Sequence, residues 1–83
     1  MLGENIKTYR QKKGYTQEEV ANRLHVTRQT ISKWEKNYSV PDAEVFVKLA
    51  DVLEVQTSQL LEVKVDSDVQ TTEVKNRMLM QSN

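Results

Sequence analysis

Apolar residues recur at helical rather than strand spacing through most of the chain. Leu2, Ile6, Tyr9 and Lys13 fall at i, i+4, i+7 and i+11, a narrow stripe along one face of an amphipathic helix over residues 2–13. Gly14 follows, suited to the left-handed position that ends a helix, after two lysines that complement its C-terminal dipole. Thr16-Gln17-Glu18-Glu19 has the form of a capping box, with Thr16 as N-cap and Glu19 three residues on. It predicts a second helix to about Leu24, with Val20, Ala21 and Leu24 inward. After a break at His25-Val26, Thr27 caps a third helix to about Lys36, on which Ile31 and Trp34 are three apart. Asn37 tolerates the left-handed conformation that would end it. Beyond the loop Tyr38-Ser39-Val40-Pro41, Asp42 caps a fourth helix whose stripe is Ala43, Phe46, Leu49, Ala50 and Leu53. Val55-Gln56 turns the chain, Thr57 or Ser58 caps, and Gln59-Leu60-Leu61 forms a short fifth helix.

The character changes after Glu62. Val63-Lys64-Val65 alternates as a short strand does, and Asp66-Ser67-Asp68 reads as a turn or linker. Residues 69–80 have some helical potential, with Val74 and Met78 four apart among many polar positions. The pattern therefore divides the chain into a helical domain over 1–62 and a tail over 63–83, a mobile or dimerisation element.

Eighty-three residues allow one small core. Without cysteine there are no disulfides or thiolate zinc sites, and His25 is the single histidine. We therefore expect no metal and no cofactor. No apolar run is long enough to span a membrane, and MLGENIKTYRQKKGY lacks the apolar core of a secretory signal, so a cytoplasmic protein without membrane association is expected. The net charge of zero conceals a segregation. Residues 1–40 carry eight basic and four acidic side chains; residues 41–62 carry one basic and five acidic. A basic half of this kind can present one face to nucleic acid.

Residues 16–37 are the most informative segment: two short helices joined by a tight turn, a helix-turn-helix, with small Ala21 where the helices cross. The second helix projects Thr27, Arg28, Gln29, Thr30 and Lys33, with no acid before Glu35. Arginine pairs with guanine O6 and N7, glutamine with adenine N6 and N7, and a threonine methyl can touch that of thymine. The same residues could form a solvated polar face, but the surrounding motif favours DNA reading. For Trp34 the spacing from Ile31 favours core packing over base stacking. An enzyme is not expected: there is no Gly-rich phosphate loop, no cluster of His and carboxylate, and no nucleophile beside a base.

TQEEVANRLHVTRQTISKWEKN, preceded by Ile6-x-x-Tyr9-Arg10-x-x-Lys13-Gly14 and followed by Pro41-Asp42 and Leu49-Ala50-Asp51-Val52-Leu53, closely resembles the Cro/cI-type (XRE) helix-turn-helix regulators over about residues 2–61. The resemblance implies an all-α, five-helix lambda-repressor-like domain, here with a C-terminal extension. It implies a repressor that binds a palindromic double-stranded operator as a homodimer. By motif position, Arg28, Gln29 and Lys33 are base readers, while Gln17, Thr27, Thr30, Asn37 and Ser39 hold the DNA backbone. Arg10 and Glu35 match a structural ion pair between the first and third helices. His25 and Glu54 stand where relatives often have glycine, and Tyr9 and Tyr15 where aliphatic residues are commoner. The alternative reading is an antitoxin-like or protein-interaction module on the same fold, with Val63, Val65, Val69, Val74, Met78, Leu79 and Met80 of the tail binding a protein partner.

Overall fold

The computed structural model describes residues 1–63, and these form five α-helices: α1 (Leu2–Lys12), α2 (Gln17–Leu24), α3 (Arg28–Glu35), α4 (Ala43–Leu53) and α5 (Thr57–Leu61). Expectations for residues 64–83, including the remainder of the alternating Val63-Lys64-Val65 segment, lie outside the described residues. Val63 itself is exposed and belongs to no strand. No helix among the described residues is long and apolar enough to cross a membrane.

Helix starts follow from side-chain chemistry. The Thr16 hydroxyl accepts from Glu19 N at 3.0 Å while Glu19 Oε1 accepts from Thr16 N at 2.7 Å. Thr27 and Asp42 likewise accept from the third residue of their helices. Each such cap satisfies an N–H that has no partner inside the helix. For α5 the expected cap is wrong. Gln56 occupies that position, its N–H donating to Gln59 Oε1 at 2.8 Å, and Thr57 is the first helical residue.

The ends of the first four helices share one geometry. Gly14, His25, Asn37 and Glu54 all have positive φ. In each case the next residue's N–H reaches five residues back, as from Val26 to Ala21 O and from Val55 to Ala50 O, both at 3.0 Å. This left-handed closure satisfies carbonyls that would otherwise lack donors. It also stops α3 at Glu35, one residue short of the expected Lys36, which is the cap.

The core comprises Ile6 from α1, Val20, Ala21 and Leu24 from α2, Ile31 and Trp34 from α3, Leu49, Ala50 and Leu53 from α4, and Leu60 from α5. Trp34 is a core residue, as its spacing suggested. Two expected stripe positions are not core: Lys13 lies beyond the last turn of α1, and Ala43 is exposed on the first turn of α4. The inner face of α1 uses Gly3 and Asn5 instead, both buried. A Cβ on Gly3 would stand 2.6 Å from the carbonyl oxygens of Trp34 and Glu35, so only glycine lets α1 approach α3 this closely. Gly3 N also donates to Asn37 Oδ1 at 2.9 Å. Asn5 Nδ2 donates to Leu60 O at 2.8 Å and to Glu62 O, tying the end of α5 to the start of α1.

Between α1 and α3 lies a buried ion pair. Arg10 Nε donates to Glu35 Oε2 at 2.6 Å, and a terminal guanidinium nitrogen donates to Glu35 Oε1 at 3.1 Å. A further guanidinium N–H donates to Tyr15 O at 2.8 Å. The side chains are 11% and 4% exposed, so solvent screens the pair weakly.

Two stability predictions follow. Glu35→Ala leaves the Arg10 charge buried without its carboxylate and is expected to cost about 3–5 kcal/mol in chemical denaturation; a loss below about 1 kcal/mol would show that the pair behaves as an exposed one. Gly14 has φ +77° but open space around its missing Cβ, so Gly14→Ala is expected to cost only about 1–2 kcal/mol, from backbone strain. Gly3→Ala must push α1 off the α3 backbone and should lower the thermal midpoint considerably more; equal losses for the two would contradict the close approach.

Candidate nucleic-acid interface

The recognition surface is built outward from the buried ion pair. Glu35 Oε1, already held by Arg10, also accepts from Gln17 Nε2 at 3.0 Å. Gln17 is the first residue of α2, and its Oε1 accepts from a guanidinium nitrogen of Arg28 at 3.2 Å. Arg28 opens α3 and is exposed. A continuous chain thus runs from Arg10 through Glu35 and Gln17 to Arg28, from the interior to the outer face of α3. It restricts the side chain that carries the first cation of that face.

Arg28, Gln29, Ser32 and Lys33 are exposed or half-exposed along one stripe of α3, and with the cap Lys36 and with Tyr38 they line an open cleft. Three of the six are cationic and none is acidic. The cleft therefore offers positive potential together with amide and hydroxyl groups that donate and accept hydrogen bonds. That is the chemistry needed to meet a polyanion while discriminating base edges. Among the described residues, no group of three or more His, Cys, Asp or Glu side chains is placed to hold a metal ion.

The sequence-predicted site residues divide by position. Arg28, Gln29 and Lys33 share the cleft. Thr27 and Thr30 flank its start; the Thr27 hydroxyl lies 3.0 Å from that of Thr30 and caps the helix through Thr30 N at 3.2 Å. Asn37 and Ser39 lie at the opposite end, beyond α3. The Asn37 carbonyl oxygen is engaged by Gly3, which leaves its amide N–H groups for a ligand. Gln17 sits beside the cleft, its side chain held between Glu35 and Arg28.

Ser32, Lys36 and Tyr38 are cleft residues that sequence reasoning missed. The first two lie four and eight residues beyond Arg28, so helical periodicity could have identified them. Tyr38 follows the helix in a loop, where no periodicity applies.

Known proteins similar to this chain share its fold. The family described as "Helix-turn-helix" matches residues 6–60. The HTH-type transcriptional regulator ImmR of Bacillus subtilis (strain 168) is 35% identical over 78 residues, covering 94% of this chain and 61% of ImmR. The chain thus spans less than two thirds of that relative's length. Among solved structures, SinR, a master regulator for biofilm formation, in complex with DNA superposes with a TM-score of 0.69 at 35% identity, covering 75% of this chain and all of the SinR chain. The P22 c2 repressor bound to a synthetic operator gives a TM-score of 0.70 at 27% identity, covering 72% of this chain and 91% of the repressor chain. With the family matching residues 6–60, most of the described length, the chain belongs to the Cro/cI-type helix-turn-helix family.

Proposed function

We propose that this chain is a sequence-specific double-stranded DNA-binding transcriptional regulator, a repressor, with α3 lying in the major groove. The observation that carries this reading is the acid-free cleft along α3, where Arg28, Gln29 and Lys33 face outward together. These three read base edges. Gln17, Thr27, Thr30, Asn37 and Ser39 flank the cleft at its two ends, where the groove walls and their phosphates would meet the protein. SinR and the P22 c2 repressor, both solved with DNA, support the assignment.

In this reading residues 1–62 form the DNA-binding domain and 63–83 a C-terminal tail, a mobile or dimerisation element. One helix-turn-helix reads only a few base pairs, too few to single out a genomic site. Two copies about a two-fold axis double the read and require half-sites about 34 Å apart. The edge around α4 and α5 supplies the contact. Val52 and Val55 are half-buried there and Leu61 is 61% exposed, whereas Leu60 is fully buried in its own core and unavailable to a second copy.

The test is selection from a random duplex pool at fixed salt, followed by titration of variants. Arg28→Ala and Gln29→Ala should each cost about 1–3 kcal/mol on the selected site and relax preference at one base position. Equal loss on selected and scrambled duplexes would remove α3 as the reader. Light scattering of the full chain at micromolar concentration should give twice the monomer mass, and Leu61→Glu should lower it toward one chain. A monomer that stays single even with a palindromic site added would defeat the dimer.

A further inference from the structure

The first turn of α1 has no cap of its own. Met1 stands at the N-cap position and its side chain makes no capping bond, so the free N–H groups of that turn depend on distant partners. Gly3 N donates to Asn37 Oδ1 at 2.9 Å, so the residue whose positive φ closes α3 also caps the start of α1. Two residues on, Asn5 Nδ2 donates to Leu60 O at 2.8 Å and to Glu62 O, at the end of α5. Neither side has slack. Asn5 is 2% exposed, and a Cβ on Gly3 would stand 2.6 Å from the carbonyl oxygens of Trp34 and Glu35. One helical turn therefore holds the end of α3 through one residue and the end of α5 through another.

We propose that this turn couples the α4–α5 edge to the α3 cleft, with Gly3 and Asn5 as positioning residues for duplex binding. The inference rests on the duplex-binding reading and deepens it. A shift of residues 60–62 pulls on the Asn5 amide, because a buried amide that leaves its acceptors loses hydrogen bonds that no water replaces. Residues 3 and 5 lie within one hydrogen-bonded turn, which carries the shift to Gly3 N. Gly3 sits against the α3 backbone without clearance, so Asn37 moves with it, and Lys36 and Tyr38 of the cleft flank Asn37 in sequence. The coupling is reciprocal. A second copy that fixes residues 60–62 tightens the end of α3 for its duplex, and the duplex strengthens pairing by the same factor. Gly3 and Asn5 act on the duplex without touching it.

The test uses the full chain carrying Leu61→Glu, which keeps a second copy off α5, and a duplex with a single half-site. Asn5→Ala removes the amide and should weaken duplex binding about fivefold or more, the low end of measured couplings, although residue 5 is buried outside the cleft. Because position 5 meets no phosphate, the dependence of log affinity on log salt should keep its slope. Asn37→Gly keeps the positive φ and cuts the link to Gly3, so in that background Asn5→Ala should cost nothing further. A second measurement needs no change at position 5. Backbone amide resonances of residues 60–62 should shift when the parent chain is saturated with the half-site, and stay in place when the Asn37→Gly chain is saturated. Circular dichroism confirms that each variant is folded. Folded Asn5→Ala binding within about twofold of its parent overturns the coupling, as does an equal loss in both backgrounds. So do resonances of residues 60–62 that ignore the duplex or shift alike in both chains. Parent chain that binds no duplex overturns the DNA reading and the coupling together, whereas parent binding with independent variants overturns the coupling alone.

Discussion

Arg10 and Glu35 make contact across the interior of a domain with little room for charge. Two ionised side chains removed from water are tolerated only when nearly every polar atom has a partner. Here the guanidinium is shared between a carboxylate and the Tyr15 carbonyl, and the carboxylate between Arg10 and Gln17. Those partners come from α1, the turn after it, α2 and α3. The pair therefore dictates how three helices are oriented, a directional demand that the apolar core does not make. Ile6, Val20 and Ile31 could pack in several ways; the ion pair is satisfied in one.

This orientation reaches the surface through Gln17. A base-reading arginine on an isolated helix would sample many rotamers, and ordering it on binding would oppose affinity. The Gln17 side-chain oxygen, oriented because the same amide donates from Nε2 to Glu35, narrows that sampling before any ligand arrives. The fold and the α3 cleft are thus parts of one hydrogen-bonded network, and a change in the interior is felt at the cleft.

Much of this was legible in the sequence because it is local. Thr16, Thr27 and Asp42 declare helix starts, and Gly14 and Asn37 declare ends. The spacing of Leu49, Ala50 and Leu53 declares an inner face. His25 and Glu54 adopt the left-handed closure without being glycine, since the carbonyls they satisfy outweigh a modest backbone strain. What was hidden is what depends on distant partners. Nothing near Asn5 says that its amide will be buried against residues 60 and 62, or that Gly3 rather than a larger residue must face α3. Lys13 fits the stripe of α1 by number and misses it by one residue, because the helix has already ended. In the cleft, Arg28, Gln29 and Lys33 were visible by type and spacing. Tyr38 was not, because a loop residue is placed by its closure onto Lys33 O and carries no periodic signature.

The Asn5 amide has a kinetic meaning. Contacts of α2 with α3 and of α4 with α5 join neighbours in sequence and close small loops, whereas the bonds from Asn5 to residues 60 and 62 join the two ends of the described chain. A five-residue helix has little cohesion of its own, so α5 persists only while docked by Leu60 and held by Asn5. It is the segment able to detach while the other four helices stay assembled, and amide hydrogens there should exchange through that partial opening rather than through global unfolding. The edge proposed to meet a second copy would then be the part of the domain with the lowest local stability, and pairing would slow exchange there first.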